Sequence, residues 1–486
     1  MKLNKKSTLS AFFIGIFFGS SFTFAASICS NSETEVRVRK ELLNSPISIR
    51  ADLGNSMAAL GNANDIELKL YRQGWNHLHN FMYVDAIRSF KTASLTNSNV
   101  ELQMSLALSY LELGVMDDFQ NLKKEISKNL KETDANYQAH KIIFELIKYF
   151  GGDDKVDKKL LSNQKTTLAA MNNLSDFQLY FAFKFWDEEV ILATYQKGKY
   201  SSAEHYLTHI NEGRSNSVAA EKYAGSYAKT AQGSAHAQHM HGHVLPLLGR
   251  WAEAISEFQK ADQLHLQWQA ENKAKPEDDW HYAHNLDLMA ASYFHTKQLD
   301  KAETTYKRLC SVKPFEVNCY HLVEFYLSVG RPKEAGEVLW MYYMPHLPDA
   351  FGDKKLDQAT KVRANILNLE LKLRSLVDKD ETIKQAKVFI EKYKRSKGAE
   401  RITDEFELLE TMITLTAFAQ GDAGIDGKNL EQGILSKMQK ALSSPGFDGW
   451  SRGAIITNRI ITYAESLNIN FAQGLRAQFE KKMFKK

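Results

Sequence analysis

The sequence predicts an all-α protein assembled from paired helices that repeat along the chain. Three observations predict it. Of 486 residues only 8 are proline and 26 glycine, with Ala, Leu, Lys and Glu abundant, a composition that favours helix over sheet. A small residue, an aromatic or Leu four positions later, and a small or apolar residue at seven recur through the chain. No segment sustains the apolar–polar alternation of a half-buried strand.

The first 26 residues read as a signal peptide. Lys2, Lys5 and Lys6 form a positive start, Leu9 to Ala25 is apolar and Phe-rich, and Ala25, Ala26 and Ser27 offer small residues for cleavage. Export is expected, to a periplasm or as a secreted protein, with no membrane span after cleavage. A retained anchor is the alternative, because the apolar run is near the shortest that crosses a bilayer. Ile28 before Cys29 departs from the small residue of a lipoprotein box. Without the three leading lysines, 62 basic residues against 58 acidic ones become near neutrality. That balance leaves no electrostatic footprint for nucleic acid or anionic lipid.

Residues 27–64 are expected to be a flexible lead-in. Helical units follow in 65–160, in a central block at 161–346 and in a C-terminal block at 347–486. Ala86/Phe90/Ala93, Ala254/Phe258/Ala261 and Ala302/Tyr306/Leu309 carry the pattern, and Ala203/Leu207 and Ala335/Leu339 carry it more loosely. Turns fall at Tyr83, at Gly198-Lys199-Tyr200, at Gly249-Arg250-Trp251 and at Gly330-Arg331-Pro332, and Pro314 closes one unit. Ala302 and Ala335 stand 33 residues apart, whereas Ala254 and Ala302 stand 48 apart. Extra residues therefore lengthen one connection near Gln263 to Asp279. Ser162 to Asp176 reads as polar helix and loop.

The pattern resembles the tetratricopeptide repeat, a helix-turn-helix unit of about 34 residues, over 70–120, 185–210 and 235–345. That resemblance implies a superhelix whose first helices line a concave groove where peptides or partner proteins bind. Helical spacing continues at Lys361 to Leu376, Thr382 to Arg395, Thr403 to Ala419, Asn429 to Leu442, Ile455 to Leu467 and Ala472 to Lys482. Turns separate these helices at Gly352-Asp353, Ser396-Lys397-Gly398, Gly421 to Gly427 and Ser444-Pro445-Gly446. They lack the signature residues and read as a degenerate C-terminal bundle.

The run His236-Ala237-Gln238-His239-Met240-His241-Gly242-His243 is the richest in chemistry. At ~100° per residue, His236, His239 and His243 fall within a ~60° arc, with His241 opposite. The following unit repeats the arrangement with His284, Asp287 and His295, and His281 lies one turn before His284. With Leu248-Gly249-Arg250-Trp251 and the later His284-x-x-Asp287, the run resembles a bacterial tetratricopeptide subgroup with an H-x-x-H-M-x-x-H helix. It departs from that subgroup at His241-Gly242 and at Met82-Tyr83. The resemblance points His236, His239, His243, His284, Asp287 and His295 into the groove, with Tyr320 and Glu324 continuing it, and His79 takes a similar place in the first unit.

Two readings of these residues stand together. In one they bind a peptide, a protein or a small polar molecule. In the other His239, His243, His284 and Asp287 hold a divalent transition metal, zinc or similar, because imidazole with carboxylate is a common donor set and two histidines one turn apart serve one ion. With an open position, such an ion polarises water for hydrolysis. No nucleophile elbow, phosphate loop or dinucleotide fingerprint appears. Cys310 and Cys319, nine residues apart, are placed to form a disulfide in an exported protein, which leaves Cys29 over. Core packing is the expected role of Trp75, and Asp422 to Asp426 lacks the spacing of an EF-hand.

Overall fold

The structure is a computed structural model. It describes residues 40–483 except Met57, 96–98, Lys199, Pro314, 344–357, 376–377 and 396–401. The expected signal segment, Cys29, and the expected turns at Pro314, Gly352-Asp353 and Ser396-Lys397-Gly398 lie outside the described residues.

The fold is all-α. Among the described residues there are 23 α-helices and no strand, and the helices pack mainly on their neighbours in sequence. No described helix is long and apolar enough to cross a membrane. Two compact units form. One comprises the described residues up to Val244 together with Gln259–Trp280, and the other comprises Leu245–Phe258 with the described residues from His281 onward. The central block 161–346 is thereby divided between them.

The first unit contains α1 (Lys40–Leu43), α2 (Asp65–His79), α3 (Tyr83–Ser94), α4 (Val100–Leu113), α5 (Met116–Asn129) and α6 (Tyr137–Phe150). It continues with α7 (Gln164–Ala169), α8 (Ser175–Lys184), α9 (Glu188–Gly198), α10 (Ser201–Gly213), α11 (Ser217–Thr230) and α12 (Ala235–Val244). Helix α2 starts on a full capping box: Asn64 accepts from the backbone N–H of Glu67, and the Glu67 carboxylate accepts from that of Asn64. Small residues set the close approach of paired helices. A Cβ on Gly74 would stand 2.4 Å from the Phe90 ring, so glycine is what lets α2 and α3 close over Phe90. Trp75 packs edge to face with Tyr71, Phe90 and Phe177 around this point, and Tyr71 lies tilted against Phe90.

Residues 40–64 are held to the same unit. Asn55 and Ser201 exchange hydrogen bonds at the start of α10, Ser56 N–H donates to Asn76, and Gln73 accepts from the backbone N–H of Arg50.

The second unit contains α14 (Trp280–His295), apart from Trp280 itself, then α15 (Leu299–Cys310), α16 (Phe315–Ser328), α17 (Pro332–Val338), α18 (Gln358–Ser375) and α19 (Lys379–Tyr393). Helices α20 (Thr403–Ala419), α21 (Gly427–Ala441), α22 (Gly446–Ser466) and α23 (Ala472–Met483) complete it. Here α22 packs on α16, α20 and α21, so pairing along the chain gives way to a bundle. Its centre is charged. The buried Arg459 guanidinium lies between the Glu324 and Glu370 carboxylates, and Arg374 donates to Glu370 at 2.8 Å. Cys310 and Cys319 form a disulfide with Cα atoms 4.1 Å apart.

The signature residues Ala86, Phe90, Ala93, Ala203, Leu207, Ala254, Phe258, Ala261, Ala302, Tyr306, Leu309, Ala335 and Leu339 are all buried. The extra residues after Gln263 extend a helix. α13 runs 22 residues, Trp251–Asn272, before Lys273 turns left-handed at φ 49°. Leu264 and Trp268 keep one-turn spacing. Trp268 is buried and its indole N–H donates to Asp85 at 2.6 Å, which gives the added turns a core contact of their own.

Candidate metal centre

Three imidazoles from two helices of the first unit meet at one point. Helix α10 supplies His205 and His209, one turn apart, and α12 supplies His236 from its first turn. Local chemistry starts both helices where they are needed. Asn55 accepts the first N–H of α10, and the Ser234 hydroxyl accepts the Ala237 N–H at 3.3 Å to open α12.

His205 Nδ1 lies 2.7 Å from the backbone oxygen of His79. A carbonyl only accepts, so Nδ1–H donates and neutral His205 carries its lone pair on Nε2. His209 Nε2 and His236 Nε2 both stand 2.9 Å from that nitrogen. One sp² lone pair accepts one well-directed hydrogen bond, which accounts for one of these contacts but not both. A cation among the nitrogens would account for both. A tetrahedral ion with bonds of about 2.05 Å to nitrogen sets neighbouring donors about 3.3 Å apart. One donor atom from each of the three residues lies within 4.8 Å of the others, and all three side chains are buried. The triad can therefore hold a metal ion.

Its surroundings bury it and hold it in place. Burial drives the His209 imidazole down to about 4, against an upward pull from Glu212, so it is neutral at pH 7, the form a metal requires. The Phe81 ring contacts all three histidines, with centroids 4.7, 5.8 and 5.2 Å from those of His205, His209 and His236. Tyr227 stacks on His205, and Phe183 lies against His209. Phe81 has φ 59°, just past the end of α2, where the hydrogen bonds Phe81 N–H to Leu78 and Met82 N–H to His77 close the helix. Glycine usually takes that position. A phenylalanine there carries roughly 1–3 kcal/mol of backbone strain, and what it gains is the ring over the triad.

A further layer steadies the carbonyl that receives His205. The His79 ring is bound by the Tyr206 hydroxyl at 2.8 Å and by Asp176 at 3.1 Å, and Asp176 also accepts from Ser56. The same ring stacks on Trp75, whose role is core packing. Such outer partners set tautomer and orientation at metal sites.

Along α12, His236, His239 and His243 are all buried. Their rings succeed one another at 5.9 and 4.6 Å, and His243 Nδ1 meets the Glu212 carboxylate of α10 at 3.2 Å. His241 faces Glu221 of α11 at 3.9 Å and is partly exposed.

His284, Asp287, His295, Tyr320 and Glu324 belong to the second unit. His295 is buried between Trp251 and Trp450 and bonded to the Ser451 hydroxyl at 3.0 Å, and burial lowers it to about 3. Asp287 pairs with His321 at 3.1 Å. Burial opposes both charges, but the pair's mutual attraction wins, which lowers the carboxyl and raises the imidazole. His284 faces Asp448 at 4.0 Å. The Tyr320 hydroxyl donates to Glu324, and Glu324 is bound to Arg459.

The sequence reading missed His205 and His209. The signal was present as His205-x-x-x-His209-x-x-Glu212, three donors on one helical stripe, but it falls among repeat residues. Partners 31 positions away in His236 and 126 away in the His79 carbonyl give it meaning. No family model matches the chain, and no curated protein is a significant match.

Proposed function

We propose that this chain is an exported, tetratricopeptide-like helical-repeat protein that binds a transition-metal ion through His205, His209 and His236. The observation that carries the reading is the double approach of two imidazole nitrogens to the single lone pair of His205. Three imidazole nitrogens suit zinc, copper and related borderline ions. Complete burial and an aromatic wall suit an ion held for structure or carried as cargo better than one exposed to bulk substrate. The expected groove for a peptide, protein or small polar ligand draws less support, because Tyr320, Glu324 and His295 are engaged with internal partners.

The test uses the full chain without a histidine tag, loaded with Zn(II), Co(II) or Cu(II), dialysed and assayed by elemental analysis. At least one tightly held equivalent per chain is expected, lost or severely weakened in His205→Ala and His236→Ala variants that keep the wild-type helical circular dichroism. No retained metal under all three loadings would remove the reading.

A further inference from the structure

The donors do not stop at the triad. His205, His209 and Glu212 occupy positions i, i+4 and i+7 of α10, and His236, His239 and His243 occupy i, i+3 and i+7 of α12. At ~100° per residue each set forms one stripe within ~60°. The stripes meet twice: at His205–His236, where the nitrogens are 2.9 Å apart, and at Glu212–His243, where the carboxylate oxygen and Nδ1 are 3.2 Å apart. Between these rungs lies His239, whose ring is 5.9 Å from that of His236 and 4.6 Å from that of His243.

We propose that His239 and His243 hold a second metal ion beside the first, with Glu212 as the positioning residue that fixes His243. This rests on the metal reading of the triad. A carboxylate only accepts at neutral pH, so His243 donates its Nδ1–H to Glu212 and presents Nε2 as the donor. Carboxylate, imidazole and ion in line is the outer-layer arrangement that orients and strengthens a histidine ligand. His239 supplies the second nitrogen from one turn earlier on the same helix, the spacing by which one helix gives two ligands to one zinc. The negative charge of Glu212 also offsets part of the charge that two buried cations bring. His209 and Glu212 differ by about 4.5 Å of helix rise, so the second ion lies roughly one turn from the first, beyond the ~3.5–4 Å of ions that share a bridging oxygen. Two neighbouring but separate ions follow, each with its own affinity.

The experiment titrates untagged full-length protein with Zn(II) against a chromophoric chelator. Wild type takes two equivalents. His239→Ala and His243→Ala take one, and Glu212→Gln takes both but binds the second 10–100-fold more weakly, with the first unchanged. The Glu212→Gln affinity split keeps the test decisive if an alanine variant misfolds, because a purely structural Glu212 would not move one equivalent alone. One equivalent in wild type, unchanged in His239→Ala and His243→Ala, overturns the second ion and leaves the triad standing. Two equivalents retained in all three variants at wild-type affinity also overturn it. None in wild type removes both proposals together.

Discussion

Both units hold histidines with partners of their own, such as His79 in the first and His295 in the second, but the first also gathers three at one point. In the first, His205, His209 and His236 turn ring nitrogens toward one another, and one lone pair is approached twice. In the second, His321 has Asp287 and His295 has the Ser451 hydroxyl. An imidazole with its own acceptor or donor is an ordinary buried polar group, satisfied within the fold. Two facing imidazoles can share one N–H···N hydrogen bond, but three that converge on a single lone pair exceed it, and a shared cation suits all three. The contrast teaches that histidine density does not locate a metal site; the direction of the lone pairs does. The second unit's charged centre reinforces the point, since Arg459 stands where an ion would otherwise be needed between Glu324 and Glu370.

The largest way to break the comparison is to unbalance that centre. Arg459→Ala leaves two buried carboxylates without their guanidinium and is expected to destabilise the second unit by ~3–5 kcal/mol. Hydrogen exchange should rise in α16, α18 and α22, with metal content of the first unit unchanged. Loss of metal in this variant would show that the two histidine systems are not independent.

Acid should separate the units next. Neither ring nitrogen of His77 has a hydrogen-bond partner, and burial lowers this histidine to about 4. Its folded pKa lies below its unfolded value, so its contribution is intact above about pH 6.5 and lost as pH falls toward 4. At ~1.4 kcal/mol per unit, that is about 3 kcal/mol. His295 acts in the same direction within the second unit. The Asp287–His321 pair does not. The raised His321 contributes below about pH 6.5 and loses its contribution as pH rises through its folded pKa. The lowered Asp287 contributes above about pH 4 and loses it only as pH falls through its folded pKa. Urea unfolding from pH 7 to 4, followed region by region, should show α2 weakening, and His77→Leu should flatten that slope. An unchanged slope in the variant would exclude His77 as its source.

The smallest effect calibrates the others. Asn64→Ala removes the capping box of α2 and is expected to destabilise the first unit by ~1 kcal/mol, read as a shift in urea midpoint. Metal stoichiometry should not change, because the cap lies at the opposite end of α2 from the His79 carbonyl that receives His205.

Much of the fold was legible because helical repeats write their packing into local sequence. Ala302, Tyr306 and Leu309 lie within eight residues, and their spacing alone places one buried face. The helix Thr403–Ala419 begins and ends where its apolar spacing does. The lengthening of α13 was read as connection because its anchor, Asp85, is 183 residues from Trp268. In the site, the common face of His236, His239 and His243 was legible from period alone, since three residues on one helix need no distant information. His205 and His209 were not, because an i, i+4 histidine pair is silent until a second helix opposes it.

By itself, the sequence determined the helices, the small residues that let them close, and the stripe of histidines on α12, all properties of neighbours within about ten positions. Only the tertiary structure decided which donors share a point. That choice brings together the carbonyl of His79, the lone pair of His205 and the ring of His236 from three helices, held over by Phe81 in a backbone conformation that local preference disfavours. Lone-pair direction depends on what lies on the far side of each ring, and that is set by packing across the chain.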